Sequence, residues 1–336
     1  MAVEIDCSYG EGGGQILRTS IALSSILGRE VRLYNIRAKR PNPGLRRQHI
    51  TAIQIASELC NAEAEGLEVG SSEVWYAPSK SKGKHVRFDI GTAGSITLAL
   101  QVAIPIAIFA DTETHIKLRG GTDVKWSPPF DYMYHVLLPI LNLMGVRCTL
   151  NLIRRGYYPK GGGEVECSVH PSKLSPLLVE EKKGEPRVFG VVHTSGLPEH
   201  VGKRIKHAAI KVLIEHNPHI KEERGGFGTG AGITLWAEYD NTVLGADCLG
   251  EKGVPAERVG TDAANSLLKE MSAPVTVDVH CADQLLLYMA LAQGSSKIRA
   301  RALSSHAETN VWVIERFLGR RFKIEEVERG VVVSTL

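Results

Sequence analysis

The sequence predicts an α+β fold in which a βαβαββ unit occurs three times and a smaller α+β domain is inserted before the third copy. Three observations carry that reading. One order of strand and helix signals recurs three times along the chain, and the chemically distinctive residues gather where helices begin. A stretch of different character, entered through the charged and proline-rich segment Pro176 to Pro186, separates the second recurrence from the third. The implied boundaries are residues 1–180 for units one and two, 181–273 for the insert and 274–336 for unit three.

The first unit reads as a strand at Val3 to Asp6, a helix from Gln15, a strand at Val31 to Ile36, a helix from Leu45, and two short strands near Glu68 and Trp75. The second begins with a strand at Val86 to Ile90 and continues with a helix from Gly94, a strand at Thr114 to Leu118 and a helix from Phe130. A hairpin broken at Gly156 completes it. The third has a strand at Val275 to Val279, a helix from Ala282, a strand at Lys297 to Leu303, a helix from His306, and strands near Lys323 and Val331. The insert reads as strand Val188 to His193, helix His200 to His216, strands Ile233 to Tyr239 and Thr242 to Leu249, and helix Ala256 to Met271. Its glycine run, Gly225 to Gly232, leads into a strand rather than from a strand into a helix, so it predicts a flexible loop and no dinucleotide fingerprint.

Composition narrows the class. The 336 residues are 43% hydrophobic and 23% charged, ordinary for a globular chain and against extended disorder. No apolar stretch approaches the roughly 20 residues that a membrane crossing needs, so no membrane partner and a cytoplasmic location are expected. Six scattered cysteines, without CxxC spacing, read as buried thiols rather than a zinc site or a disulfide scaffold. A net charge of +3 is too mild to announce a nucleic-acid binder. Arg37, Lys39, Arg40, Arg46 and Arg47, however, crowd one segment that could hold phosphates.

Helix starts offer unpaired N–H groups and a positive dipole end. Before the first helix stand Glu11, Gly12, Gly13, Gly14 and Gln15, with Arg18 one turn on; the glycines permit close backbone approach, and Glu11 offers hard oxygen to Mg²⁺. Before the second, Arg40-Pro41-Asn42-Pro43-Gly44-Leu45 leads to Arg46, Arg47 and Gln48, a stiff loop with the cations of a phosphate clamp. Gly91 to Ser95 opens an apolar helix carrying Gln101, where anion approach and tight packing both stay open. The loop from Gly120 to Tyr132 holds Lys125, Trp126 and Pro129, and either stacks a base or plugs the core. His280-Cys281-Ala282-Asp283-Gln284 and Ser304-Ser305-His306 open the last two helices. At a helix N-terminus the dipole disfavours imidazolium, so His306 is expected neutral and nucleophilic near neutral pH. No GxxxxGK[ST] occurs, so a nucleoside triphosphate would not be held by a P-loop.

Taken in order, Glu11-Gly-Gly-Gly-Gln15-Ile-Leu-Arg18, Arg40-Pro-Asn-Pro-Gly44-Leu, Trp126-Ser-Pro-Pro129, Pro159-Lys-Gly-Gly-Gly163, Ala282-Asp-Gln284 and His306-Ala-Glu-Thr-Asn310 resemble the RNA 3'-terminal phosphate cyclase family from Tyr9 to about Asn310. The resemblance implies units similar to the C-terminal domain of translation initiation factor 3. It implies a ligase-type enzyme of RNA processing that consumes ATP with Mg²⁺ or Mn²⁺. His306 would take AMP, pass it to an RNA 3'-phosphate, and the ribose 2'-OH would then close the 2',3'-cyclic phosphodiester with release of AMP. By the same resemblance Glu11 would bind the metal, and Arg18, Arg40, Arg46 and Gln48 would hold phosphates. Gln101, Pro129, His280, Cys281, Ala282, Asp283 and Gln284 would bind ATP, with adenine between Pro129 and His280, where other members carry tyrosine. Self-association into a homodimer stays open. Two rivals share the architecture: a non-catalytic paralogue, against which His306 argues, and an enolpyruvyl transferase, which needs a longer chain. The basic helix with Lys203, Arg204, Lys206 and Lys211 reads as a solvated face rather than an RNA contact.

Overall fold

The computed structural model describes residues 2–336, a mixed α and β chain with four small sheets. In the first, β1 (Val3–Asp6), α1 (Gly14–Leu27), β2 (Val31–Tyr34), α2 (Arg47–Cys60), β3 (Glu63–Glu65) and β4 (Val74–Ala77) follow one another, and the strands lie in the order β1-β2-β4-β3. Strands β1 and β2 are parallel and the other pairs antiparallel. The alternation of Val-Glu-Ile-Asp and Val-Arg-Leu-Tyr explains why: Val3, Ile5, Val31 and Leu33 bury one face under the helices while Glu4 and Arg32 face water.

The second sheet has β5 (His85–Asp89), α3 (Ile96–Ile108), β6 (Thr114–Gly120), α4 (Phe130–Tyr132), a π turn (Met133–Leu137), α5 (Leu138–Leu143), β7 (Arg147–Arg154) and β8 (Gly163–His170). Its strand order is β5-β6-β8-β7, again with only the first pair parallel. Helix α3 is apolar almost all round, as its burial between α1 and α2 requires. The chain then builds β9 (Arg187–Ser195), α6 (Glu199–Val212), a 3₁₀ turn (Ile214–His216), β10 (His219–Arg224), β11 (Gly230–Glu238), β12 (Val243–Leu249) and α7 (Ala256–Met271), with sheet order β10-β9-β11-β12. Last come α8 (Val279–Leu291), β13 (Lys297–Ala300), α9 (Ser305–Leu318), β14 (Phe322–Val327) and β15 (Gly330–Thr335), in the order β13-β15-β14. One core joins the first, second and last sheets through α1, α2, α3, α8 and α9, and a second core lies between β9 to β12 and helices α6 and α7.

Four local expectations are corrected. Val275–Asp278 is no strand: the Thr276 hydroxyl accepts from Arg299 N–H at 2.8 Å, and the Thr276 and Val277 amides both donate to Arg299 O, so a side chain replaces the ladder beside β13. No strand forms at Glu68, because the neighbouring backbone pairs with Leu45 instead, through Gly70 N to Leu45 O and Leu45 N to Ser71 O; the short strand lies earlier, at β3. The edge strand β10 was not expected, since His-Ile-Lys-Glu-Glu-Arg has one buried apolar residue and the charges that guard sheet edges. The glycine run is loop only to Thr229; from Gly230 it belongs to β11. All six cysteines are free thiols, five buried and Cys248 half-buried. No helix of the described residues is long and apolar enough to cross a membrane. On α6, Lys203, Arg204 and Lys206 pair with Glu199, Glu257 and Glu222.

Buried charge marks the seam between the two cores. The Arg155 guanidinium donates to Asp131 (3.1 Å) and Glu223 (2.6 Å) and lies 3.5 Å from Asp123, while His193 of β9 sits 2.8 Å from the Tyr157 hydroxyl and 3.2 Å from Asp123. Asp123, Asp131 and His193 are the one trio among the described residues with metal-ligand spacing, but Arg155 already supplies the cation there. Burial pushes the Asp123 carboxyl up and the His193 ring down to about 3, so that histidine is neutral. Removing Arg155 would strand two buried carboxylates. Arg155→Ala is therefore expected to lower unfolding free energy by about 3–5 kcal/mol, measured by urea denaturation.

Candidate active site

Helix α9 begins with a serine cap: Ser304 Oγ accepts from the His306 and Ala307 amides at 3.1 Å each and donates to Asp283 Oδ2 at 2.6 Å. That cap places His306 in the first helical turn, with Nδ1 3.3 Å from Glu11 Oε2. Glu11 also accepts from the Ser305 hydroxyl and from Arg40 Nη2 at 3.3 Å. These partners, Ser305 foremost and then His306 and Arg40, hold the Glu11 carboxyl below its ordinary range. The half-buried His306 ring is held below its usual value chiefly by desolvation; Glu11 opposes that shift, and Arg18, Arg40 and His280 reinforce it. A carboxylate at Nδ1 favours the tautomer with the proton there, leaving Nε2 bare.

The loop before α1 admits this arrangement because it lacks side chains. A Cβ on Gly14 would fall 2.5 Å from His49 Nε2, and one on Gly13 3.0 Å from Arg40 Nη2. His49, buried, is driven down to about 3 by desolvation and by Arg18, Arg37 and Arg46, so it adds no charge. Arg18 has no carboxylate partner. Its Nη2 donates to Gln15 Oε1 at 2.6 Å, its Nε has none, and desolvation lowers it to about 10. A buried guanidinium without a counter-ion is costly unless an anion joins it.

Arg18 lines a cavity together with Gln15, Gln101, Asp283, Gln284 and Asn310. Gln101 Nε2 donates to Gln284 Oε1 at 2.7 Å, while Gln101 Oε1 and Asp283 Oδ1 are left open; burial pushes the Asp283 carboxyl up to about 6. Beside it, His280 is exposed on the first turn of α8 and lines a cavity of about 340 Å³ with Asp247, Asp278, Glu270 and Arg301.

Of the residues singled out in the sequence, Glu11, Arg18, Arg40, Gln101, Asp283, Gln284 and His306 thus fall in one region. Gln48 turns toward α3, accepting from Ser95 N at 3.4 Å, and the Arg46 amide caps onto His49 Nδ1 at 3.1 Å. Cys281 and Ala282 have buried side chains, and Pro129, buried at the start of α4, lines neither cavity. Arg37 is committed to its own loop, donating to Asn42 O and Gly44 O. Trp126 is no core plug, for it stands almost fully in solvent. Lys39, one of the cations expected to hold phosphates, donates to Gly10 O at 3.2 Å, while Ser305 and Asn310, which bridges Gln15, Thr19 and Asp283, were named only as parts of motifs and given no role. The Ser-Ser pair before His306 was the one signal for Ser305.

Arg18→Met would relieve a desolvated charge. It is expected to leave the thermal midpoint unchanged or higher while weakening diphosphate binding at least tenfold by calorimetry, about 1.4 kcal/mol; a midpoint drop of several degrees would show that Arg18 is structural.

Comparison with known proteins identifies a family. A family described as RNA 3'-terminal phosphate cyclase matches residues 9–324. Proteins of that name from Nitrosospira multiformis, Methanosarcina mazei and Pyrococcus furiosus are 45%, 45% and 47% identical, over 96%, 99% and 96% of this chain and 93%, 99% and 94% of theirs. The enolpyruvyl transferase NikO from Streptomyces tendae covers 98% of this chain and 65% of its own at 11% identity, with a TM-score of 0.29, too low to bear on the fold. By the match over residues 9–324 and by relatives aligned along almost their whole length, the chain belongs to the RNA 3'-terminal phosphate cyclase family.

Proposed function

We infer that this enzyme converts an RNA 3'-terminal phosphate to a 2',3'-cyclic phosphodiester at the expense of ATP, through AMP carried on His306. One observation supports it above others: a half-buried imidazole, depressed below its ordinary pKa, faces Glu11 with Nδ1 while Arg18, a cation lacking a carboxylate, lies close enough to depress it further.

In the first step the bare Nε2 attacks the α-phosphorus of ATP; an N–P bond forms, the Pα–O bond to the leaving group breaks, and diphosphate departs. Glu11 holds the ring through Nδ1 and stabilises the positive charge that develops on it. Arg18 and Arg40, with Arg46 and Gln48 nearer the α2 start, bear the phosphates. In the second step an oxygen of the RNA 3'-phosphate displaces His306 from phosphorus, forming an RNA adenylate. In the third, the ribose 2'-OH attacks the 3'-phosphorus and expels AMP. Activation is needed because a phosphomonoester has no adequate leaving group, whereas the adenylate does. Gln101 and Asp283, each with an open oxygen at the cavity, and Gln284 beside them suit the nucleoside, and exposed His280 suits the adenine face; the buried Pro129 would have to open to meet its other side.

Glu11 is a single, partly exposed carboxylate, which suits an ion held mainly by phosphates rather than by protein. Glu11 would hold Mg²⁺ or Mn²⁺, which when bound offsets charge on the polyphosphate. The sheets β1-β2-β4-β3 and β5-β6-β8-β7, together with the last sheet and its Thr276 side-chain bridge, read as three copies of one βαβαββ unit like that of translation initiation factor 3. On that reading residues 181–273 are the inserted domain, and the site lies where the first and third units meet.

With α-labelled ATP and a divalent metal, wild type is expected to take up acid-labile, alkali-stable label, and His306→Ala none. Equal labelling of the variant would remove His306 from the mechanism. The pH profile is a second check. Because the ring's pKa lies below 6.5, more than half of it is neutral at pH 6.5, so the labelling rate there should keep more than half of its high-pH plateau. A midpoint at 6.5 or above would contradict the burial argument.

A further inference from the structure

Three exposed aromatic rings stand on three loops that are hydrogen-bonded to one another. Trp126 is 95% exposed, Tyr158 76% and Phe227 40%. Thr122 N donates to Gly156 O (2.9 Å), Tyr157 N to Phe227 O (3.1 Å) and Phe227 N to Arg155 O (2.8 Å). The Trp126 loop is closed at its base by Phe130 N to Thr122 O (3.0 Å) and pinned to α3 by the Thr97 hydroxyl on Pro128 O (2.7 Å). Trp126 also has φ +62°, a left-handed backbone that a bulky residue adopts at a cost and that gathers at functional sites.

We propose that this ridge binds single-stranded RNA on the 5' side of the reacting end, its bases stacking on Trp126 and Tyr158. The assignment rests on the cyclase reading above and extends it to the body of the substrate. Cations interleave with the rings: Lys125 lies 6.0 Å from the Trp126 centroid and is paired with Glu251, Arg154 lies 5.5 Å over Phe227, and exposed Lys160 follows Tyr158 by two residues. Flat faces with neighbouring positive charge match a polyanion carrying stackable bases, and they bind it with little sequence preference. The ridge is also continuous with the phosphate-bearing region. Gly161 seats on Thr92 and Ala93, where a Cβ would meet Thr92 O at 2.5 Å, and the adjoining Gly94 and Ser95 contact Gln48. A strand whose terminal phosphate lies near Gln48 and Arg46 therefore meets the α3 start and then the ridge.

The test uses the full chain carrying Trp126→Ala and Tyr158→Ala together, positions whose exposure makes loss of folding unexpected; circular dichroism and labelling by ATP should match wild type. Fluorescence anisotropy with a 3'-hydroxyl decaribonucleotide, at one fixed salt concentration, is expected to show affinity roughly tenfold weaker or more. KM for a 3'-phosphorylated decamer should rise in step, while KM for a 3'-phosphorylated dinucleotide stays as in wild type. Unchanged decamer affinity overturns the proposal. So does a halved mass by light scattering with RNA affinity retained, which would make the ridge a contact between copies of the chain. Failure of wild type to form any cyclic end would sink the reaction assigned above, yet the anisotropy comparison would still decide the ridge.

Discussion

Glu11 and His306 stand almost at opposite ends of the chain, and the packing of α1 against α9 brings them within 3.3 Å. That contact sets which imidazole nitrogen faces the carboxylate and which faces outward. It also sets limits on everything around it. Gly13 and Gly14 must lack side chains so that Arg40 and His49 can close in, Ser304 must cap α9 so that His306 starts a helix, and Ser305 must reach Glu11. Burial and three nearby cations or potential cations lower the ring's basicity, while one carboxylate raises it; burial leads, so the ring is mostly neutral at pH 7.

The site and its surroundings satisfy polar groups very differently. Asp278, the cap of α8, accepts from His280 N, Cys281 N, Tyr132 Oη and Gly245 N, which saturates it and ties α8 to α4 and to β12. Five residues on, Asp283 keeps one oxygen open and is raised to about 6 by burial. Arg18 Nε and Gln101 Oε1 are open in the same cavity. Unmet hydrogen-bonding capacity of this kind costs stability in the free protein. The buried Arg155 differs in having its charge neutralised within the protein, by Asp123, Asp131 and Glu223, at the seam of the two cores.

Strands with clean alternation, such as Val-Glu-Ile-Asp and Val-Arg-Leu-Tyr, and the helix that Ser304 opens were legible in the sequence because local pattern decides them, whereas the Asp278 cap of α8 lay hidden in a segment that reads as strand. Val275–Asp278 misled because its apolar alternation is that of a strand, yet the Thr276 side chain takes over the pairing. Strand β10 was hidden because an edge needs charges more than it needs apolar residues. At the site, ligand chemistry showed in residue types: a carboxylate, arginines and a histidine at helix starts. What composition could not convey was which cations stay free. Arg37 and Arg18 look alike in sequence, but one is consumed by carbonyls of its own loop and the other is left without a counter-ion. Likewise the Trp126 loop read as either a base-stacking loop or a core plug, and the exposure of Trp126 removes the plug.

The orientation of the His306 ring is the claim on which the chemistry rests. Nitrogen-15 NMR of the histidine rings in the ligand-free protein at neutral pH, assigned with His306→Ala, would test it most directly. A neutral His306 with its proton on Nδ1 and a bare Nε2 is the predicted result. An imidazolium, or a proton on Nε2, would contradict it, because no lone pair would then face the phosphorus that His306 is held to attack.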